Sequence, residues 1–382
     1  MTRHPEPDWV PLLVPDMPSP QALMPWLERM HAARHYSNFG PLVRELEAEF
    51  ARCFAIPAQG IATVANATLG LELVLQALEL APGSHILLPA FTFVATATAV
   101  MRAGHVPVLA DVDPDTWLLT PAIARTACQQ VSIDAVMPVA TFGMPHDMPA
   151  WRQFETDTGL PVVIDAAAAY GSQWLQGVDG TLVFSLHATK SLPAGEGGLI
   201  VSTRPGLAEK VRQLSNFGIN LDPAASLPVG ALAAVGTNAK MSEYHAAIGL
   251  ASLCVWEQHA LERRALHEEM VQELSRLGGA CLAWQRPGAD KGLVAPTVLC
   301  IRLGEEAART EMEQRCRSAG ITTRRWYQPL LQSMPALWHG CKVLETPHAE
   351  VLSQTLLGFP FFLGISEGQK TRIYKAMSEW IR

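Results

Sequence analysis

The sequence predicts an α/β protein: a large domain on a mostly parallel mixed sheet, followed by a smaller C-terminal α+β domain. Three observations carry this. Six short apolar runs, 85–89, 106–112, 135–140, 161–165, 181–186 and 199–202, alternate with stretches of helical character. The runs lack polar alternation, as strands covered on both faces do. The 382 residues, 49% hydrophobic and 17% charged, suffice for two cores and argue against disorder.

Residues 1–40 carry Pro5, Pro7, Pro11, Pro15, Pro18 and Pro20 and are expected to be irregular, since prolines block long helices. A helix is predicted over 41–54: Leu42, Leu46 and Phe50 recur every four residues, and Pro41 suits a first helical position. A second is predicted over 68–80, with Gly83 just past its end. The six strands follow. A long helical stretch over 242–277 then leads into the smaller domain, with a strand in 294–303 and helices over 305–319 and 367–380. The division is placed at 1–255 and 256–382.

The formal net charge of -7 gives no support to a nucleic-acid partner. The seven cysteines form no C-x-x-C pair and no His-rich cluster, so they read as reduced thiols of a cytoplasmic protein and not as a metal site. Segment 1–8 is polar and proline-bearing, unlike a signal peptide, and Arg102, His105, Pro107 and Asp111 break the one long apolar stretch, so no membrane association is expected.

Ligands of open α/β sheets gather at strand C-terminal ends, and there the chemistry-bearing residues lie. Ser185-Leu186-His187-Ala188-Thr189-Lys190 follows a strand and precedes Gly195-Glu196-Gly197-Gly198. A lysine there can form a Schiff base with an aldehyde; Ser185 can reach a phosphate, and the glycines let backbone approach a bulky ligand. An isolated lysine would more often be an ordinary surface residue. Asp165 ends another buried run, where a carboxylate is costly unless it meets a cation such as a protonated pyridine nitrogen; a helix-capping Asp is the equal alternative. Ala65-Asn66-Ala67-Thr68 precedes a helix and offers a phosphate cradle or a plain cap. Phe93, after the 85–89 run, can lie against a planar ring or belong to the core.

Taken in order, these motifs resemble the DegT/DnrJ/EryC1/StrS family of nucleotide-sugar aminotransferases, which have the pyridoxal-phosphate (PLP) fold type I of aspartate aminotransferase. The resemblance runs from about Asn38 to the C-terminus. It includes Asn38-Phe39-Gly40, Thr92-Phe93-Val94-Ala95-Thr96, Asp165-Ala166-Ala167, Asn216-Phe217-Gly218 and Gly236-Thr237-Asn238-Ala239-Lys240-Met241-Ser242. It implies pyridoxal 5'-phosphate bound to Lys190, Asp165 facing the pyridine nitrogen, Phe93 stacked on the ring, and Ala67, Thr68 and Ser185 around the phosphate. It further implies that Asn238 serves the neighbouring subunit's phosphate, making a homodimer with shared active sites. The implied reaction transfers an amino group from L-glutamate to a nucleotide-linked 3- or 4-keto-deoxysugar.

Three positions depart from the family. Ala168 stands where Gln, sometimes His, is usual; Tyr170 where His is common; and Trp326-Tyr327-Gln328-Pro329-Leu330 where His-Tyr precedes a Pro-Leu pair. A dehydratase branch with His in place of the lysine is disfavoured by Lys190. Two alternatives stay open: another PLP reaction on a sugar-like or small amino substrate, and a PLP-binding sensor or partner protein without turnover.

Overall fold

The computed structural model describes residues 9–287 and 292–381; the polar segment 1–8 lies outside them. In chain order, α1 (Pro20–Ala33) and α2 (Pro41–Phe54) precede β1 (Ile61–Val64), α3 (Ala67–Ala77), β2 (His85–Pro89), α4 (Val94–Arg102) and β3 (Val106–Ala110). Next come α5 (Pro121–Gln130), β4 (Ala135–Val136), α6 (Met148–Thr158), β5 (Ile164–Asp165), β6 (Thr181–Ser185), β7 (Gly198–Ser202) and α7 (Leu207–Ser215). The chain continues with α8 (Glu243–Leu253), α9 (Trp256–Gly278), β8 (Leu282–Ala283), β9 (Leu299–Leu303) and α10 (Glu306–Ser318), then β10 (Lys342–Val343), α11 (Pro347–Thr355), β11 (Leu356–Phe359) and α12 (Glu367–Ile381).

Two ladders, β1-β7-β6-β5 and β10-β3-β2-β4, meet through bridges Val136 to Val162 and Val139 to Asp165, forming one sheet. Within it β7 alone runs antiparallel, pairing with β1 and β6; the other pairings are parallel. Side chains alternate across the sheet. Leu87, Val136, Ile164 and Phe184 enter one core, while Ile86, Leu88, Val163 and Val183 enter another on the opposite face. Both faces are covered, which is why the runs are apolar without alternation. A third core joins Met270, Leu274, Leu299, Ile301 and Phe359 around the antiparallel sheet β11-β9-β8, with Val10 added from the N-terminal segment.

Helix α2 has the predicted bounds, but three expectations need correction. The segment 1–40 contains the 14-residue helix α1. Its first proline, Pro20, sits where no N–H is needed, and Ser19 Oγ accepts from Ala22 N at 3.2 Å. Pro25 removes one internal bond, and packing on α8 outweighs that loss. The stretch 242–277 is two helices, because Val255 leaves helical geometry and Trp256 drops edge-on against Tyr170, with ring centroids 5.2 Å apart. Strand β1 was not predicted; its four residues are too short to show a period.

Candidate active site

The topology gathers one set of strand ends. β1, β5 and β6 run the same way, so Val64, Asp165 and Ser185 finish on one side, where the antiparallel β7 begins at Gly198. Gly198 pairs with both Val64 and Ser185. A Cβ on Gly198 would lie 2.7 Å from the backbone of Asn66, so only glycine lets β7 start against the entry to α3. Gly198 thus stands between Ser185 and the strand that leads into Asn66, Ala67 and Thr68.

At this helix start Asn66 Oδ1 accepts from Leu69 N at 3.0 Å. Among the described residues the N–H groups of Ala67 and Thr68, the first two of α3, have no partner. They are oriented donors at the positive end of a helix dipole, which suits an anion. Ser185 Oγ accepts from His187 N at 3.3 Å and keeps its own proton to donate.

Asp165 is only 4% exposed. Its Oδ2 accepts from Thr96 Oγ1 at 2.8 Å and its Oδ1 from Ala167 N at 3.1 Å. Burial pushes its carboxyl up from the ordinary range, against the opposing pull of Thr96, Ala167 N and the charge of Lys190. Burial lowers the Lys190 amine, while the charge of Asp165 raises it. The half-buried lysine therefore sheds its proton more readily than a surface lysine, beside a carboxylate without a full counter-charge.

Phe93, at the N-cap of α4, is 49% exposed, so it is not a core residue and its ring is open to contact. Tyr327 is packed on Phe91 and Phe142. Its phenol is pushed up by burial first and by Cys300 and Asp165 next, with Arg324 opposing. Asn238 lies in the segment that follows α7. It is exposed, bridges to Asn216, and accepts from Lys240 Nζ at 2.7 Å, while its neighbour Ala239 accepts from Ala65 N at 2.7 Å. No group of three or more potential metal ligands occurs among the described residues.

The sequence profile of the DegT/DnrJ/EryC1/StrS aminotransferase family matches residues 22–378. The chain belongs to this family. Protein Rv3402c of Mycobacterium tuberculosis is 29% identical over 388 aligned residues, covering 97% of this chain and 90% of that protein. A crystal structure of DesI in the presence of its TDP-sugar product is 31% identical, covers 97% of this chain and 93% of its own, and superposes with a TM-score of 0.83. A Bacillus cereus structure assigned as a PLP-dependent aminotransferase is 26% identical, covers 97% and 100%, and has a TM-score of 0.87. This family member is thus a PLP-dependent aminotransferase with the fold type I architecture.

Within the aminotransferase fold, the departures from the family pattern fall in different places. Tyr170 is buried among Phe50, Phe54, Phe184 and Trp256, and belongs to the core. Ala168 is half-buried, and its carbonyl lies so close to Gly143 that a Cβ there would meet it at 2.7 Å. Trp326 packs on Phe142 and Tyr327, under the guanidinium of Arg324 at 3.9 Å from the ring centroid. Sequence reasoning missed one residue: Thr96, the partner of Asp165. Its signal was Thr92 and Thr96 four apart at a helix start, beside Phe93.

Proposed function

We propose that this aminotransferase moves an amino group from an amino-acid donor, L-glutamate, to the carbonyl of a nucleotide-linked keto sugar, with pyridoxal phosphate held on Lys190. The observation that carries the reading is the Lys190–Asp165 pair at the strand ends that also present the free N–H groups of Ala67 and Thr68. DesI, with its TDP-sugar product, supports the choice of acceptor class.

The residues fit the cofactor. The N–H groups of Ala67 and Thr68 and the Ser185 hydroxyl would hold its phosphate, Phe93 its ring face, and Asp165 its ring nitrogen. Bound there, the cofactor supplies an electron sink for a carbanion next to nitrogen. The protein's own part is proton handling. Lys190, lowered by burial and released when the donor's amine takes its place on the cofactor, would take the donor's α-proton as general base and return a proton in the opposite half of the cycle. Asp165 would keep the ring nitrogen protonated. The donor's 2-oxo acid leaves before the acceptor enters, so the kinetics are ping-pong.

Assembly is part of the proposal. Phe217, Leu221, Val229, Leu232 and Val235 form an exposed apolar stretch around Asn238, with Val235 at 89% exposure. A second copy covering it would bury this surface and place Asn238 at the neighbouring phosphate. We place this dimer in the cytoplasm, with the two units of each chain divided at 255/256, between α8 and α9. No helix among the described residues is long and apolar enough to cross a membrane.

The test is a half-reaction. Protein loaded with pyridoxal phosphate is mixed with L-glutamate and followed by visible absorbance, then supplied with a panel of nucleotide-linked keto sugars. Loss of the bound chromophore with glutamate, and its return with one sugar, is the expected result. A chromophore that responds to glutamate but is never restored by a sugar would overturn the acceptor class alone. One that ignores all amino donors would overturn the reading.

A further inference from the structure

Among the described residues, the buried polar chain behind Asp165 is directional. Thr92 and Thr96 are both almost fully buried, at 2% and 1% exposure, so neither hydroxyl exchanges freely with water. Their oxygens lie 3.0 Å apart, and Thr96 Oγ1 lies 2.8 Å from Asp165 Oδ2. An ionised carboxylate can only accept, so Thr96 donates to it; Thr96 then has no proton left for Thr92, and Thr92 donates to Thr96. The result is a one-way relay, Thr92 to Thr96 to Asp165. Ala167 N, 3.1 Å from Oδ1, holds the other oxygen. Two donors on two different oxygens fix the plane of the carboxylate and leave lone pairs facing the site.

We infer that Thr96, itself oriented by Thr92, is a positioning residue that aims the Asp165 carboxylate at the cofactor's ring nitrogen. The inference rests on the function proposed above and extends it to residues that act through Asp165. Its physical basis is the low dielectric around Asp165, where a hydrogen bond to a charged acceptor is strong and a missing one is costly. Geometry makes Thr96 suited to the task. It sits in the first turn of α4, the helix that Phe93 caps, so one rigid element sets both the Phe93 ring and the Asp165 carboxylate.

The test uses Thr96→Val, which keeps shape and removes the hydroxyl, and Thr96→Ser, which restores it. The first readout needs no cofactor: the apo chain, with its Asp residues 13C-labelled, is titrated by NMR, with Asp165→Asn assigning the signal. Thr96→Val should move the Asp165 carboxyl upward by roughly one pH unit, and Thr96→Ser should leave it near the wild-type value. The second readout is the glutamate half-reaction of the loaded protein. Its maximal rate should fall about tenfold or more in Thr96→Val, with the half-saturating glutamate concentration changed less than about twofold, and Thr96→Ser should recover most of the rate.

An unmoved Asp165 titration together with a wild-type rate in Thr96→Val overturns the inference. A moved titration with an unchanged rate also overturns it, reducing Thr96 to a structural partner. If glutamate elicits no half-reaction even in the wild type, the proposed donor reading fails, and the apo titration still decides whether Thr96 controls the carboxylate. Should Thr96→Val not fold, Thr92→Val tests the same relay one bond further away. It should act in the same direction with about a twofold to fivefold loss of rate, and no change in either readout would overturn the relay.

Discussion

At the scale of single residues, the site is an exercise in charge kept out of water. Asp165 and Lys190 are each pushed toward neutrality by burial, and each is pulled back by the other's charge. Lys190→Ala should abolish both borohydride fixation of the cofactor and transamination, with peptide mapping as the check; fixation at Lys210 or Lys240 would refute the assignment. On the proposed role of Asp165, Asp165→Asn should lower turnover by about 100-fold or more, roughly 3 kcal/mol, while cofactor affinity changes far less, because the ring nitrogen would lose its counter-charge. Unchanged turnover would mean that another group holds the nitrogen. Buried histidines contribute to the acid limit, and His146 is one of them. His146 is buried, its Nδ1 accepts from Trp151 Nε1 at 3.2 Å, and burial lowers it to about 4. Its folded value lies below its unfolded one. The stability it contributes is therefore fully present above pH 6.5 and is lost as pH falls towards about 4. The slope for this group is at most about 1.4 kcal/mol per pH unit. Urea midpoints between pH 7 and pH 4.5 should fall in the wild type and fall less steeply in His146→Asn.

At the scale of elements, helix ends are completed from far along the chain. α2 begins at Pro41 with Gly40 before it, and that N-cap carries no side chain to accept from the first turn. Glu243 of α8 does so instead, its two oxygens accepting from Leu42 N and Val43 N, each at 2.8 Å. Gly40 must stay small, since a Cβ there would meet the Glu243 carboxylate at 2.5 Å. Glu243→Gln replaces one acceptor oxygen with a donor facing an N–H, and should cost about 1–3 kcal/mol in urea unfolding with the fold retained. Pro41 and the spacing of Leu42, Leu46 and Phe50 made α2 legible in the sequence, but the cap was not, because Glu243 lies 201 residues beyond Leu42 and 200 beyond Val43. The same holds at Gly198. Its glycine was legible as part of a Gly-rich turn, yet its contact with Asn66 depends on β7 lying beside β1.

At the scale of the whole molecule, the exposed apolar stretch around Asn238 and the exposed Phe93 point outward from the single chain. The shared-site dimer is tested by mixing two inactive variants, Lys190→Ala and Asn238→Asp. In a mixed dimer one site combines both defects and the other has neither, so activity should rise towards half the wild-type value per mixed dimer. Exchange of subunits without any return of activity would show that each site is built from one chain. Full activity of Asn238→Asp alone would leave Asn238 a loop residue tied to Lys240 and Asn216.

The α/β class, the helix over 41–54, the strand over 85–89 and the order of the motifs that carry Lys190, Asp165, Ala67, Thr68 and Ser185 were written in the residues themselves. These follow from local period, proline and glycine placement, and residue chemistry, all contained within short windows. Four features needed the folded chain to emerge: Thr96 bonded to Asp165, Tyr170 in the core, the break of 242–277 at Val255 and the formation of α1 despite Pro25. Each of these depends on which partner a side chain meets across a long separation in sequence. Burial in a packed interior, not local preference, sets the free energy there.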